Sequence, residues 1–145
     1  ITSPPYGATY NYVDHHARRY PWLRMETNRF FDREIGARRS LQGPDAIVRW
    51  NQELSAALRA MASVMGKEAY AILVLGDAEI ERHRIRAVDQ VRHLAPGAEF
   101  EFCAAASQKR KDWRGGFDRA ESIIVLKHRP NLAPRPSGPP RNDRR

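Results

Sequence analysis

The sequence predicts an α/β domain with a mostly parallel sheet and a final antiparallel strand. Residues 69–75 form an unbroken apolar run, and a run without alternation indicates a strand covered on both faces, as in the middle of a parallel sheet. Helical patterns separate the earlier predicted strands, which favours parallel crossovers, whereas only a loop separates the last two. Those last two strands are therefore expected to pair antiparallel.

The individual elements follow from the spacing of apolar and turn-forming residues. A strand is expected to end at Ile1, and residues 7–40 form an irregular, arginine-rich segment with a short helix over residues 12–23 that Pro21 disturbs. Apolar residues at steps of three and four predict a helix over residues 45–65, which Gly66 ends. The later predicted elements are a strand at 69–75, a helix at 85–94, a strand at 99–105 and a strand at 121–128.

Composition limits the class of protein. The single cysteine, Cys103, excludes an internal disulfide framework and a multi-cysteine metal site, and it is expected to fill space in a strand. No apolar run reaches the roughly 18 residues that span a bilayer, and no signal peptide is visible, which predicts a cytoplasmic protein without a membrane partner. Of the net charge of +8, half lies in the last seventeen residues. The predicted organisation is a folded region over residues 1–129 and a disordered, proline- and arginine-rich tail over residues 130–145.

Residues 2–6, Thr-Ser-Pro-Pro-Tyr, are the most informative segment. Each proline fixes its own φ and favours an extended residue before it, so the Ser3 side chain and the carbonyls of Ser3 and Pro4 have few orientations. Fixed acceptors suit chemistry on an exocyclic amino group of a nucleobase, because they hold its hydrogens and free the nitrogen lone pair from the ring. Tyr6 offers a flat ring on which that base can stack. The alternative is a proline-rich turn without a catalytic role.

The segment Ser3-Pro4-Pro5-Tyr6 resembles the [Asp/Asn/Ser]-Pro-Pro-[Tyr/Phe] catalytic loop of the S-adenosylmethionine-dependent amino methyltransferases. The threonine before it resembles the DNA-modifying branch of that family. Asn11 stands where that branch has aspartate. The resemblance continues downstream at Tyr12, Arg18, Arg19, Trp22 and Leu23.

The resemblance implies both a fold and a set of roles. The fold is the second half of a Rossmann-like class I methyltransferase domain, with residues 1–129 as its catalytic half. The implied catalytic residues are Ser3, Pro4, Pro5 and Tyr6, and Ser3 and Pro4 are also the implied contacts to S-adenosylmethionine. The family also has a Gly-rich cofactor turn, whereas no Gly-x-Gly occurs in this chain. We therefore expect a fragment that binds the cofactor poorly, with the cofactor-binding half upstream or on another chain.

Two basic segments are candidate nucleic-acid contacts. The first contains Arg18 and Arg19, together with Arg38 and Arg39 as further candidates for phosphate contacts. The second interleaves positive charge with an aromatic ring between the last two predicted strands, a composition that suits phosphates and base stacking and equally an ordinary exposed loop. Its members are Lys109, Arg110, Lys111, Trp113 and Arg114.

Acidic and histidine side chains are weaker candidates. Asp77 and Glu79 follow a predicted strand end and are expected near the site, as a helix cap or as solvated carboxylates if they have no ligand. His15 and His16 are adjacent, and adjacent side chains point apart on a helix, so no metal site is predicted.

The resemblance, with the acceptor geometry of the loop, implies a methyltransferase that transfers a methyl group to an exocyclic amino group of DNA, N6 of adenine or N4 of cytosine. The first alternative is the same chemistry on an RNA base, because RNA bases carry equivalent amino groups. The second alternative, from another class, is a non-catalytic nucleic-acid-binding module. The predicted cofactor is S-adenosylmethionine and the predicted partner is DNA, with RNA as the alternative.

Overall fold

The computed structural model describes residues 1–31, 33–110 and 119–131. Within this part of the chain, no helix combines the length and the apolar content needed to cross a bilayer. The helices are α1 (Tyr12–His16), α2 (Asn28–Phe31), α3 (Ala46–Ala62) and α4 (Ala87–Leu94), followed by a 3₁₀ turn at Ala95–Ala98. The strands are β1 (Tyr70–Gly76), β2 (Ala78–Ile80), β3 (His83–Ile85), β4 (Phe100–Arg110) and β5 (Arg119–His128).

The main sheet is antiparallel, so the prediction of a mostly parallel, Rossmann-like sheet is wrong. Its strand order is β1-β5-β4, and both pairings are antiparallel. β1 and β4 run in the same direction, as a helical crossover between them favours, but β5 lies between them and hydrogen-bonds to both. Among the described residues, parallel pairing is limited to an isolated bridge between Thr2 and Leu73. The fold is a small α+β arrangement.

β1 and β5 cover the core with one face. Burial alternates along β1 although its sequence does not: Ala71, Leu73 and Leu75 are buried, while the residues between them are half-buried. Helices α3 and α4 cover the buried face. The apolar run at residues 69–75 therefore has one fully buried and one half-buried face, an arrangement that an antiparallel sheet allows. The core includes Trp50, Leu54 and Leu58 of α3, Val91 of α4, Phe100 of β4, and Ile124 and Leu126 of β5.

A short hairpin lies between β1 and α4 along the chain. Strands β2 and β3 pair antiparallel between Ala78 and Ile85. The helix predicted over residues 85–94 therefore begins two residues later, at Ala87. The two turn residues, Glu81 and Arg82, have φ values of 49° and 64°. Neither is a residue type that favours this left-handed conformation, which is why the sequence did not indicate the hairpin.

β4 is an edge strand of the sheet, and its side chains after Phe102 are exposed. Cys103 lies at a register shift between Phe102 and Ala104 and is exposed, so its expected role as strand filler is wrong. The irregularity turns the thiol away from the core.

Candidate functional site

The loop at residues 2–6 is joined to the edge of β1. The Thr2 amide donates to the Ile72 carbonyl at 2.9 Å, and the Val74 amide donates to the Thr2 carbonyl at 2.9 Å. The next rung of a parallel ladder would need the amide of Pro4, which has no hydrogen. The Ser3 hydroxyl donates to the Val74 carbonyl instead, at 3.1 Å. The proline therefore makes the serine side chain complete the ladder, and this bond fixes the direction of Ser3 Oγ.

Tyr6 lies on the backbone at the end of β1. A Cβ added to Gly76 would lie 2.8 Å from both Cδ2 and Cε2 of the Tyr6 ring, so the ring needs a glycine beneath it. The Tyr6 hydroxyl donates to Glu121 Oε1 at 2.5 Å, and Glu121 Oε2 lies 2.5 Å from Arg110 Nη2. Three strand ends thus meet at the tyrosine.

The pKa of the Tyr6 hydroxyl is raised above its ordinary value of 10.0. Burial is the largest cause, and the hydrogen bond to Glu121 and the charge of that carboxylate add to it. The neighbouring Ser3 hydroxyl and the positive charge of Arg110 oppose the increase. Tyr6 therefore stays neutral at physiological pH and acts as a hydrogen-bond donor.

Trp50 holds the end of the loop from inside the core. A Cβ on Gly7 would lie 2.7 Å from Cε2 of the indole, and a Cβ on Gly36 would lie 3.0 Å from its Cζ3. The indole cannot yield easily, because it is fully buried and its Nε1 donates to Gln90 Oε1 at 3.0 Å. The Ala8 amide donates to the Gly36 carbonyl at 2.9 Å, which joins the two glycine segments. Sequence reasoning placed Trp50 in the core but missed this role. A glycine such as Gly7 does not show in the sequence which distant side chain packs against it.

A cleft of about 1010 Å³ opens beside Tyr6. Its wall combines aromatic, acidic and basic side chains, so it offers stacking surface, acceptors and cations together. Ser3 and Pro4 are not part of this wall; they lie on the loop just before Tyr6, with Ser3 exposed and Pro4 half-buried. The aromatic and charged residues of the wall are Tyr6, Tyr10, Asp77, Glu79, Glu81, Glu121, Arg38, Arg110 and Arg119.

Asp77 is a structural acid at the base of the cleft. Its Oδ1 accepts the Ala87 amide at 3.1 Å, and its Oδ2 accepts the Ala120 amide at 3.2 Å and Arg84 Nη2 at 3.0 Å. These bonds join the end of β1 to the start of α4 and to β5, in agreement with the helix-cap interpretation. Glu79 is half-exposed and lies 3.8 Å from Arg119, so its carboxylate is the more available of the two.

The candidate nucleic-acid residues divide into three groups. Arg18 and Arg19 are exposed in the turn after α1, outside the cleft wall. Lys109 and Arg110 lie at the end of β4, and Arg110 belongs to the wall. The remaining predicted members, Lys111, Trp113 and Arg114, lie outside the described residues.

The two later arginines differ in availability. Arg38 is exposed and lines the cleft. Arg39 Nη2 donates to Glu34 Oε2 at 2.7 Å and to the Phe31 carbonyl at 3.1 Å. An arginine held in this way would have to leave a buried carboxylate before it could bind a phosphate, so Arg38 is the better candidate.

The described residues offer no complete site for a metal or for S-adenosylmethionine. Across residues 1–31, 33–110 and 119–131, no three His, Cys, Asp or Glu side chains come close enough to hold a metal ion. The chain has no Gly-x-Gly turn, and the carboxylate that follows β1, Asp77, is already bonded to two amides and Arg84. The described residues by themselves therefore do not fit the whole cofactor.

Comparison with known proteins identifies no relative from which a function could be inferred. No family model matches the chain, and no curated protein matches its sequence.

Proposed function

We propose that this chain provides the substrate side of an S-adenosylmethionine-dependent methyltransferase that acts on an exocyclic amino group of a DNA base, adenine or cytosine. The observation that carries the proposal is the bond from Ser3 to the Val74 carbonyl. It uses the only hydrogen of the hydroxyl, so the lone pairs of Ser3 Oγ are left to accept. No described residue donates to the Pro4 carbonyl, whose oxygen is a second free acceptor.

Two fixed acceptors on one short loop match the two hydrogens of an amino group. When both hydrogens are bonded outside the plane of the ring, the nitrogen moves towards tetrahedral geometry and its lone pair becomes nucleophilic. Pro5 contributes rigidity, because its ring removes one backbone freedom from the loop. No covalent bond between enzyme and substrate is required.

Tyr6 would receive the base. Gly76 packs closely against its ring, and the ring lines the cleft, so a flipped base can enter beside it. The neutral hydroxyl, bonded to Glu121, prevents the ring from turning. The nearby carboxylates of the cleft can accept hydrogens from a base edge, whereas its arginines suit a phosphate.

S-adenosylmethionine would supply the methyl group as an electrophilic sulfonium. This chain's own loop would hold the amino nitrogen that receives the methyl group, with Ser3 Oγ and the Pro4 carbonyl accepting its two hydrogens. Most contacts to the cofactor would come from protein outside these residues, since the described residues do not fit the whole cofactor.

Methyl transfer from radiolabelled S-adenosylmethionine tests the proposal, with the chain joined to a cofactor-binding half and with DNA and RNA as parallel substrates. We expect Ser3→Ala to lower the rate by about 100-fold or more, because it removes a preorganised polar contact to the reacting group, and Ser3→Thr to retain most of the activity. Ser63→Ala is the matched control, since the Ser63 hydroxyl also donates to a backbone carbonyl, that of Ala60, at 2.8 Å.

Three outcomes would contradict the proposal. Equal rates for the Ser3→Ala and Ser63→Ala proteins would remove the role of the hydroxyl. Methylation of RNA alone would favour the RNA alternative. Nucleic-acid binding without methylation in the joined protein would favour the non-catalytic module.

A further inference from the structure

A chain of ring contacts runs from the cleft to the turn after α1. Tyr10, in the cleft wall, has its ring centroid 5.6 Å from that of Tyr12. The contacts continue from Tyr12 to His16 at 6.5 Å, with planes 20° apart, and from His16 to Tyr20 at 6.5 Å. Tyr20 then stacks on Phe30 at 5.9 Å, with planes 26° apart. We call these five rings the aromatic track.

The track is not part of the core. None of its five rings belongs to the core cluster, and Val13 is the buried residue of α1. Tyr10 and Phe30 are exposed, and the three rings between them are half-buried. Rings that contact one another while remaining open to solvent form a surface on which flat ligands can stack.

Trp22 lies in the turn that directly follows Tyr20, the fourth ring of the track. Its side chain is 90% exposed. The turn that carries it is closed by hydrogen bonds from the Arg24 amide to the Pro21 carbonyl at 3.1 Å and from the Met25 amide to the Tyr20 carbonyl at 3.0 Å. This hydrogen-bonded turn presents a large flat ring to water, and a base that stacked on the ring would remove both apolar surfaces from water.

The charge around the track identifies the partner. Residues 10–30, which carry the track, contain four arginines against the two acids Asp14 and Glu26, and Arg18, Arg19 and Arg24 are all exposed. The acid on α1, Asp14, lies 3.7 Å from Arg39 and is partly neutralised. Positive charge interleaved with open aromatic rings is the arrangement that binds single-stranded nucleic acid, in which arginines contact phosphates and rings stack on bases.

We propose that the aromatic track and Trp22 bind an unpaired stretch of DNA that leads out of the cleft, with Trp22 stacked on one of its bases. The choice of DNA rests on the proposed function, whereas the stacking does not depend on catalysis. Stacking also gives the flanking strand a path that starts at Tyr10, in the same wall as Tyr6.

Binding of a fluorescein-labelled 12-nucleotide single strand to the whole chain, without cofactor, tests this inference by fluorescence anisotropy. We expect Trp22→Ala to weaken binding by about 5- to 100-fold, the range for loss of one stacked base, and Trp22→Phe to weaken it less. Val64→Ala is the control, because Val64 is also strongly exposed, at 84%, but lies outside the track. A blunt duplex of the same sequence should show little dependence on Trp22.

Intrinsic fluorescence gives a second measurement. In a Trp113→Phe protein the remaining tryptophans are Trp22 and the buried Trp50, so quenching by the added strand reports Trp22. Removal of both Arg18 and Arg19 should reduce the slope of log affinity against log salt by about 1.4, at 0.7 per phosphate contact on a single strand.

The inference is overturned if the Trp22→Ala protein binds the single strand as tightly as the wild type does. It is equally overturned if Trp22→Ala weakens binding of the duplex as much as binding of the single strand. It is also overturned if anionic lipid vesicles bind with the same dependence on Trp22 and the single strand does not bind. The two proposals fail separately. If only the stacking inference is wrong, Ser3→Ala still lowers the methylation rate; if only the proposed function is wrong, Trp22→Ala still weakens binding of the single strand.

Discussion

Substitution of Gly7 by alanine should destabilise the fold through one ring. The new Cβ would lie 2.7, 2.9 and 3.0 Å from three atoms of the Trp50 indole, closer than real Cβ atoms approach. The indole cannot retreat, because Gly36 packs against it and Gln90 accepts its Nε1 hydrogen. Overpacking of a core typically costs about 1–3 kcal/mol, and a rigid ring fixed on several sides places Gly7→Ala at about 2–3 kcal/mol.

Urea unfolding followed by circular dichroism measures this loss. In a protein with Trp22 and Trp113 replaced by phenylalanine, Trp50 fluorescence reports whether the indole has moved. The matched control is Gly97→Ala: a Cβ at Gly97 meets no atom within 4 Å, so this change should be neutral or slightly stabilising. If Gly7→Ala and Gly97→Ala unfold at the same urea concentration, Trp50 does not hold the loop and the packing argument fails.

Two further predictions concern the groups around the cleft. Because burial, and then Glu121, raises the pKa of Tyr6, the hydroxyl contributes stability that is fully present below the unfolded pKa of 10.0 and is lost as pH rises through the folded pKa. Tyr6→Phe should therefore flatten the decline of the urea midpoint above pH 10, and an unchanged decline would contradict the assignment. Asp77→Ala should cost about 2–4 kcal/mol, because it removes the acceptor of the buried Ala87 amide and the half-buried Ala120 amide, whereas Glu79→Ala should cost under about 1 kcal/mol, as expected for a surface pair. Thermal unfolding compares the two, and equal shifts would be the contrary result.

Local pattern predicted most of the elements of the fold. The stripe of apolar residues predicted α3, which ends three residues earlier than expected, and the later apolar runs predicted β1, β4 and β5. Strand order was not predictable in the same way, because pairing joins residues far apart in the chain. The insertion of β5 between β1 and β4 replaced the expected parallel neighbours by two antiparallel pairs.

The candidate site divides in a similar manner. The motif at Ser3–Tyr6 indicated where to look, since two prolines restrict their own neighbours. Its partners could not be found from the motif: Val74 lies 71 residues from Ser3, and Glu121 lies 115 residues from Tyr6. The aromatic track also escaped sequence reasoning, because the rings of Tyr10 and Phe30 come into one series only through the turns between them.

The sequence alone therefore indicated a loop restricted by two prolines, an amphipathic helix and three apolar strands, because each depends on backbone preferences and side-chain spacing within a few residues. The folded chain decided the antiparallel order of the sheet, the seating of Tyr6 on Gly76 and the use of Ser3 to complete a ladder that Pro4 interrupts. These depend on contacts between distant segments, and such contacts are selected by the packing of the whole core around Trp50.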